Sequence, residues 1–223
     1  MESSRRNLLK KSLTASAALL GVSAMAKAQG QNQCVGLKTP PQPEGPFYPK
    51  VDQLDKDNDL INVRGSQKIA KGQVVIVQGV VADQNCQPVP GVLVEIWQAC
   101  HTGKYNHASD PNPAAIDPDF QYWGKAVTNA RGEYRFRTIV PGAYPAGQGW
   151  IRPPHIHYKV SKVGYMELIT QMYFAGHELN AKDLFIQRLS PADRAKVIIP
   201  FKRLQSLPHP VGNFNILIEK MTR

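Results

Sequence analysis

From Gln73 onward the apolar residues come in short, β-branched runs, at 74–82, 92–97, 133–140, 156–160, 168–174 and 214–218. Runs of that length read as strands, because a helix needs a longer stretch at a spacing of three and four. Turn sequences separate them: Pro88-Val89-Pro90-Gly91, Asn129-Ala130-Arg131-Gly132, Pro141-Gly142 and the prolines flanking His209. Proline presets φ and glycine accepts left-handed backbone, so each of these reverses the chain. Strand and turn in regular succession predict an all-β fold, an antiparallel β-sandwich over residues 73–223. In Glu133-Tyr134-Arg135-Phe136-Arg137 polar and aromatic residues alternate, as on a half-buried strand with Tyr134 and Phe136 facing inward.

Helix is a minor component. Between Asn180 and Val197, Ser190 is suited to cap a helix, Pro191 to open it and Asp193 to sit in its first turn, which predicts one or two short helices there. Residues 29–72 precede the strands as an N-terminal arm. Its stretch from Thr39 to Pro49 carries five prolines, which extends the chain and forbids coiling.

The first 28 residues read as a targeting segment. Ser4-Arg5-Arg6-Asn7-Leu8-Leu9-Lys10 leads into a mildly apolar stretch from Leu13 to Met25 and then Ala26-Lys27-Ala28, a small-residue cleavage pattern. The stretch is too short to span a bilayer, so no stable membrane anchor is expected. The paired arginines look like a twin-arginine export signal, which places the mature protein in the periplasm or outside the cell. Five basic residues against Glu2 put +4 of the chain's +10 formal charge in this segment and leave +6. The remaining Lys and Arg are scattered without a nucleic-acid motif, so no nucleic-acid partner is expected. Cys34, Cys86 and Cys100 are widely spaced with no C-x-x-C pair, which excludes zinc-ribbon and thioredoxin readings. One disulfide and one free thiol are allowed in an oxidising compartment, and the sequence does not choose the pair.

The candidate chemistry lies in three stretches. Arg152-Pro153-Pro154-His155-Ile156-His157 places two imidazoles two residues apart. On a strand that spacing puts both on one face, with room for one metal between them. Upstream, Thr138 to Pro145 ends a strand in a Pro-Gly turn that projects Tyr144, and Glu95 to Tyr105 runs off a strand into a Gly-containing loop ending in Tyr105. Each tyrosine taken alone fits a packing role equally well.

Taken together, Pro-Val-Pro-Gly, Val-Glu-Ile-Trp-Gln-Ala, Thr-Ile-Val-Pro-Gly-Ala-Tyr-Pro, Arg-Pro-Pro-His-Ile-His and Leu-Ile-Thr-Gln-Met-Tyr-Phe, in that order, resemble the intradiol ring-cleavage dioxygenases, and the protocatechuate 3,4-dioxygenase branch in particular. The resemblance runs from about Thr39 to the C-terminus. It implies one non-haem Fe(III) held by Tyr105, Tyr144, His155 and His157, with Tyr144 the ligand that leaves when substrate chelates. It further implies that Arg152 stabilises developing negative charge, that Trp97 and Gln171 lie beside substrate or oxygen, and that Gly45, Pro46 and Phe47 help close the pocket. The implied partners are a small aromatic diol and O2; separately from the resemblance, a homo-oligomer is expected. The chain departs from the protocatechuate pattern at Ala146, two residues after Tyr144, where that branch has an aromatic, and in a short loop between His157 and Gln171. His101, His107, His177, His209, Asp117 and Asp119 are not assigned to metal. Two competing readings are a non-catalytic secreted β-sandwich binding module and a periplasmic zinc or copper carrier using the two histidines alone.

Overall fold

A computed structural model describes residues 38–221. The export segment read at residues 1–28, the beginning of the arm and Cys34 lie outside the described residues.

The strands are β1 (Val74–Asp83), β2 (Leu93–Trp97), β3 (Trp123–Val127), β4 (Glu133–Ile139), β5 (Tyr144–Pro145), β6 (Ile151–Arg152), β7 (His155–Ser161), β8 (Leu168–Phe174), β9 (Ile198–Ile199), β10 (Phe201–Lys202), β11 (Val211–Asn213) and β12 (Ile216–Ile218). A 3-10 turn at Glu178–Lys182 and two helices, α1 (Leu184–Gln187) and α2 (Pro191–Val197), lie between β8 and β9. Ser190 Oγ accepts from the Asp193 amide at 3.1 Å and Pro191 opens α2, so the cap read in the sequence forms.

Two sheets build the sandwich. In the first, β1 pairs antiparallel with β4 along Val74↔Ile139 to Val80↔Glu133. The C-terminal strands β11 and β12 then pair with β1 in parallel, so the ladder is mixed where an antiparallel one was expected. The second sheet runs β3-β2-β7-β8-β9, antiparallel except for β8 with the two-residue β9. β3, in Trp-Gly-Lys-Ala-Val, is absent from the sequence reading because it shows neither alternation nor a β-branched run.

Val75, Val77, Tyr134 and Phe136 of the first sheet face Val94, Ile96, Ile156, Tyr158 and Val160 of the second, all buried in one cluster. The Tyr158 and Phe214 rings meet edge-on at 4.9 Å across that core. Because β7 alternates, packing Ile156, Tyr158 and Val160 inward turns His155 and His157 to the opposite face of the second sheet. A bare outer sheet face would be solvated. Here the arm covers it.

The arm reaches that face along β8. The Gln42 amide donates to Ile169 O at 2.9 Å, and Thr170 Oγ1 donates to Pro40 O at 2.7 Å. Beyond it, Gly45 turns the chain at φ +77° and Phe47 packs in a second buried cluster with Trp97, Ala99, Tyr105, Trp123 and Tyr144. Cys86 is disulfide-bonded, and Cys100 is a free, buried thiol. Among the described residues no helix is long and apolar enough to cross a membrane.

Candidate active site

Strand register assembles one side of the site. Trp97 lies opposite His157 between β2 and β7, and His157 lies opposite Gln171 between β7 and β8. His155 lies opposite Tyr173 in the next row of the same face. The Trp97 ring stacks on His157 at 4.8 Å with an interplanar angle of 11°. Opposite, Gly45 of the arm approaches so closely that a Cβ there would stand 3.2 Å from His157 Cε1. The His157 ring thus touches both a flat aromatic wall and a backbone without a side chain.

Two loops complete the site. Tyr105 follows a turn closed by the Cys100 amide on Lys104 O at 2.9 Å and the Gly103 amide on Cys100 O at 3.0 Å. Its own amide donates to Asp110 Oδ2 at 2.6 Å. Tyr144 opens a two-stranded ribbon of β5 and β6 in which it pairs directly with Arg152. The loops touch at Gly103, where a Cβ would collide with Ala143 O and lie 3.2 Å from Tyr144 Cβ. The two tyrosines consequently meet ring edge to ring face at 5.4 Å, and Phe47 packs against Tyr105 at 4.7 Å.

Tyr105, Tyr144, His155 and His157 are all buried, none more than 6% exposed. The imidazole centroids are 4.9 Å apart. Tyr105 Oη lies 3.5 Å from His155 Nε2, and the Tyr144 ring is 5.5 Å from His155. His155 Nδ1 sits 2.6 Å from Pro153 O. A carbonyl only accepts, so Nδ1 carries the proton and Nε2 presents its lone pair toward the tyrosines. That lone pair accepts from Arg152 Nη1 at 3.0 Å.

The electrostatics follow from burial. Burial, then the Arg152 charge, holds both histidines well below the usual imidazole range, so they are neutral at pH 7. Burial and then the neighbouring Tyr144 raise the Tyr105 phenol well above its ordinary value, and burial raises Tyr144, opposed by Arg152. Without a further cation the site is two neutral imidazoles and two neutral phenols beside one guanidinium.

This donor set fits a hard trivalent cation. Neutral imidazoles offer lone pairs, that of His155 Nε2 once Arg152 Nη1 releases it, and a trivalent charge overcomes the burial penalty and ionises the phenols. His157 Nδ1 is buried without a hydrogen-bond partner, so no neighbouring donor or acceptor opposes the neutral form of this ring. Among the described residues no three His, Cys, Asp or Glu side chains converge as a metal site, so a cation here would rest on the tyrosines as much as on the histidines.

Arg152, 3% exposed, lies against this group. Its Nε donates to Asp183 Oδ2 at 3.0 Å, and Nη2 donates to Gln171 Oε1 at 2.8 Å and to Tyr173 Oη at 3.1 Å. Burial would lower its pKa, but Tyr173, Tyr144 and Asp183 raise it, so it stays charged. A cavity of about 760 Å³ adjoins the site on the Phe47, Trp97 and Tyr105 side and is lined also by Lys104, His107 and Tyr122.

Residues 43–210 match a protein-family model described as Dioxygenase. The chain belongs to this dioxygenase family. It is thereby an oxidoreductase by class. It is 39% identical over 160 residues to the protocatechuate 3,4-dioxygenase beta chain of Burkholderia cepacia, covering 70% of this chain and 68% of that one. It is 33% identical over 116 residues to the chlorocatechol 1,2-dioxygenase of Pseudomonas sp. (strain P51), covering 46% of this chain and 44% of that protein, so the match spans under half of that relative. Among solved structures, the dioxygenase domain of a dioxygenase carbohydrate-binding protein fusion from Streptomyces sp. SirexAA-E superposes at a TM-score of 0.62 with 29% identity, over 82% of this chain and 99% of that one. The 3-chlorocatechol 1,2-dioxygenase of Rhodococcus opacus 1CP shares the fold at a TM-score of 0.64 with 22% identity, over 89% of this chain and 77% of that one.

All the residues singled out in the sequence as site candidates meet here: Tyr105, Tyr144, His155, His157 and Arg152, flanked by Trp97, Gln171, Gly45 and Phe47, with Pro46 between the last two. Three of the histidines set aside have neighbours of their own. His177 caps the 3-10 turn through Leu179 N, His107 Nδ1 accepts from Ser109 N, and His101 lies 3.8 Å from Asp117. Sequence reasoning missed Tyr173, Asp183 and Gln42. Alternation along β8 from Gln171 was enough to find Tyr173. No local signal marks the other two.

Proposed function

We propose that the protein is a non-haem iron(III) intradiol dioxygenase. It opens the ring of a catechol-type aromatic between the two hydroxyl-bearing carbons, and both atoms of O2 enter a cis,cis-muconate-type dicarboxylate. The observation that carries this reading is the convergence of two buried tyrosines and two buried, neutral histidines beside a buried arginine. The names of the relatives, protocatechuate 3,4-dioxygenase and chlorocatechol 1,2-dioxygenase, support the ring position.

Tyr105, Tyr144, His155 and His157 would hold the iron. Bound there, iron(III) would lower the pKa of ligand and substrate phenols and draw electron density from the ring so that carbon becomes open to O2. Tyr144 is the donor suited to yield to substrate. It sits on a ribbon of two two-residue strands, whereas both histidines are locked within a five-stranded sheet. Once displaced, its Oη takes one catechol proton. Arg152 cannot lose its proton and acts as a fixed positive charge for the electron-rich ring. Trp97 and Phe47 exclude water on the cavity side, with Gly45 and Pro46 of the arm and Gln171 bounding the rest.

The test is to incubate the iron-loaded protein with catechol, protocatechuate, hydroxyquinol and chlorinated catechols under 18O2. A ring-opened diacid carrying two labelled oxygens is expected from at least one of them. No product from any, or a product opened outside the diol bond, would sink the reading.

The twin-arginine reading of residues 1–28 places the enzyme in the periplasm or outside the cell. Replacing Arg5 and Arg6 with lysine is expected to leave it in the cytoplasm on fractionation. The expected assembly is a homo-oligomer, which sedimentation would test.

A further inference from the structure

Arg152 is held along its Nε and Nη2 edge, while Nη1 turns to the candidate ligand His155. A guanidinium has five N–H groups. The Nε–H goes to Asp183 Oδ2, both Nη2 protons are taken by Gln171 Oε1 and Tyr173 Oη, and one Nη1–H goes to His155 Nε2. The Tyr144 phenol also interacts with the guanidinium. The Nε and Nη2 edge is therefore anchored by Asp183, Gln171 and Tyr173, and Nη1 is the part that touches the candidate ligand His155.

Of these anchors only Asp183 carries a charge. Its side chain is fully buried and is the ion-pair partner of Arg152 among the described residues. Asp183 also caps α1, with Oδ1 accepting from Phe185 N and Ile186 N at 3.0 Å each. The residue it caps, Phe185, lies 4.6 Å from the guanidinium carbon, and Trp150 lies 5.4 Å from it. These two rings meet edge-on at 5.1 Å. The four-residue helix that buries Ile186 in the core thus also delivers a carboxylate and an aromatic ring to one arginine.

We propose that Asp183 is the positioning residue of Arg152: its Oδ2 fixes the guanidinium so that Nη1 points at the bound diol. This rests on the reading of Arg152 as the charge beside the substrate. Without the carboxylate, the head group is held by neutral acceptors alone and its orientation is no longer set by an ion pair.

Asp183→Asn is the informative variant, because asparagine caps a helix as well as aspartate does. It keeps α1 and removes only the ion pair. Two readouts are taken on wild type, D183N, R152A and the double variant. The first is 15N NMR of the arginine side chains in the iron-free full chain. Wild type is expected to show a slowly exchanging Nε–H that is absent in R152A, and D183N is expected to lose its protection. The second is steady-state ring cleavage with the iron-loaded protein. D183N is expected to lower kcat by roughly 10- to 100-fold, the range of a lost supporting partner, with KM within about threefold. In the R152A background D183N is expected to cost nothing further, since a positioning residue has nothing left to position. Retained protection, an unchanged kcat, or a loss that persists undiminished without Arg152 would overturn the proposal. A wild type that opens no catechol while D183N still loses its Nε–H protection would leave the anchoring standing and sink the function assigned to the site instead.

Discussion

At the scale of single residues, the site depends on side chains whose direction is set by their neighbours in sequence. His155 and His157 were legible because a strand puts i and i+2 on one face, and the alternation with Ile156 fixes which face. Tyr105 and Tyr144 were visible only as tyrosines at the ends of loops, and their convergence depends on Gly103 touching Ala143, which no spacing reveals. The ligand roles predict that Tyr105→Phe weakens iron retention at least about tenfold, since outer-shell partners alone contribute 10–100-fold. Iron per chain after gel filtration measures it, and full occupancy would contradict the role. Gly45 is tested from the other side. At φ +77° and with His157 Cε1 within 3.2 Å of a Cβ, Gly45→Ala is expected to cost about 1–2 kcal/mol and to lower iron content as well. Thermal unfolding together with an iron assay separates the two effects, and an unaltered protein would show that the arm does not press on the ligand.

At the scale of elements, the strands with periodic or β-branched runs were read nearly to their ends, β8 at 168–174 without error. β3, the two-residue strands and the parallel pairing of β11 and β12 were not, because they exist through tertiary pairing and not through local preference. The loop contact at Gly103 makes a prediction of this scale. Gly103→Ala forces apart the loops that carry both tyrosines, and is expected to cost about 2 kcal/mol or more and to abolish ring cleavage. Activity and unfolding by urea check it, and a stable, active variant would refute the close approach. The end of β1 supplies a pH dependence. Burial raises the Asp83 carboxyl, but the Gln87 and Asn85 amides and Lys220 outweigh it and hold it below the usual carboxylate range. A lowered folded-state pKa gives stability that is present above the ordinary value of about 3.9 and is lost as pH falls through the folded value. Between pH 5 and 3 the Tm of wild type is therefore expected to fall more steeply than that of Asp83→Asn. Equal slopes would contradict the assignment.

At the scale of the whole molecule, the sandwich core and the site occupy opposite faces of the same sheet, and the arm turns an outer face into a buried one. The arm was legible as an extended, proline-rich segment, but its seat on β8 was not, since Gln42 meets Thr170, Gln171 and Tyr173 across some 130 residues of chain. Gln42→Ala is expected to cost about 1–3 kcal/mol, because it leaves the buried Tyr173 hydroxyl and the Gln171 carbonyl short of partners. A stability change within error would show that the arm is held elsewhere. The central claim is that this roofed face holds ferric iron on two tyrosinates. It is tested most directly by the visible spectrum of the full chain reconstituted with iron(III), recorded before and after anaerobic addition of catechol and compared with Tyr105→Phe. The account predicts a coloured protein, from tyrosinate-to-iron charge transfer, whose band moves to longer wavelength with catechol and is lost or weakened in the variant. A protein that takes up no iron, or binds it without colour, would contradict it.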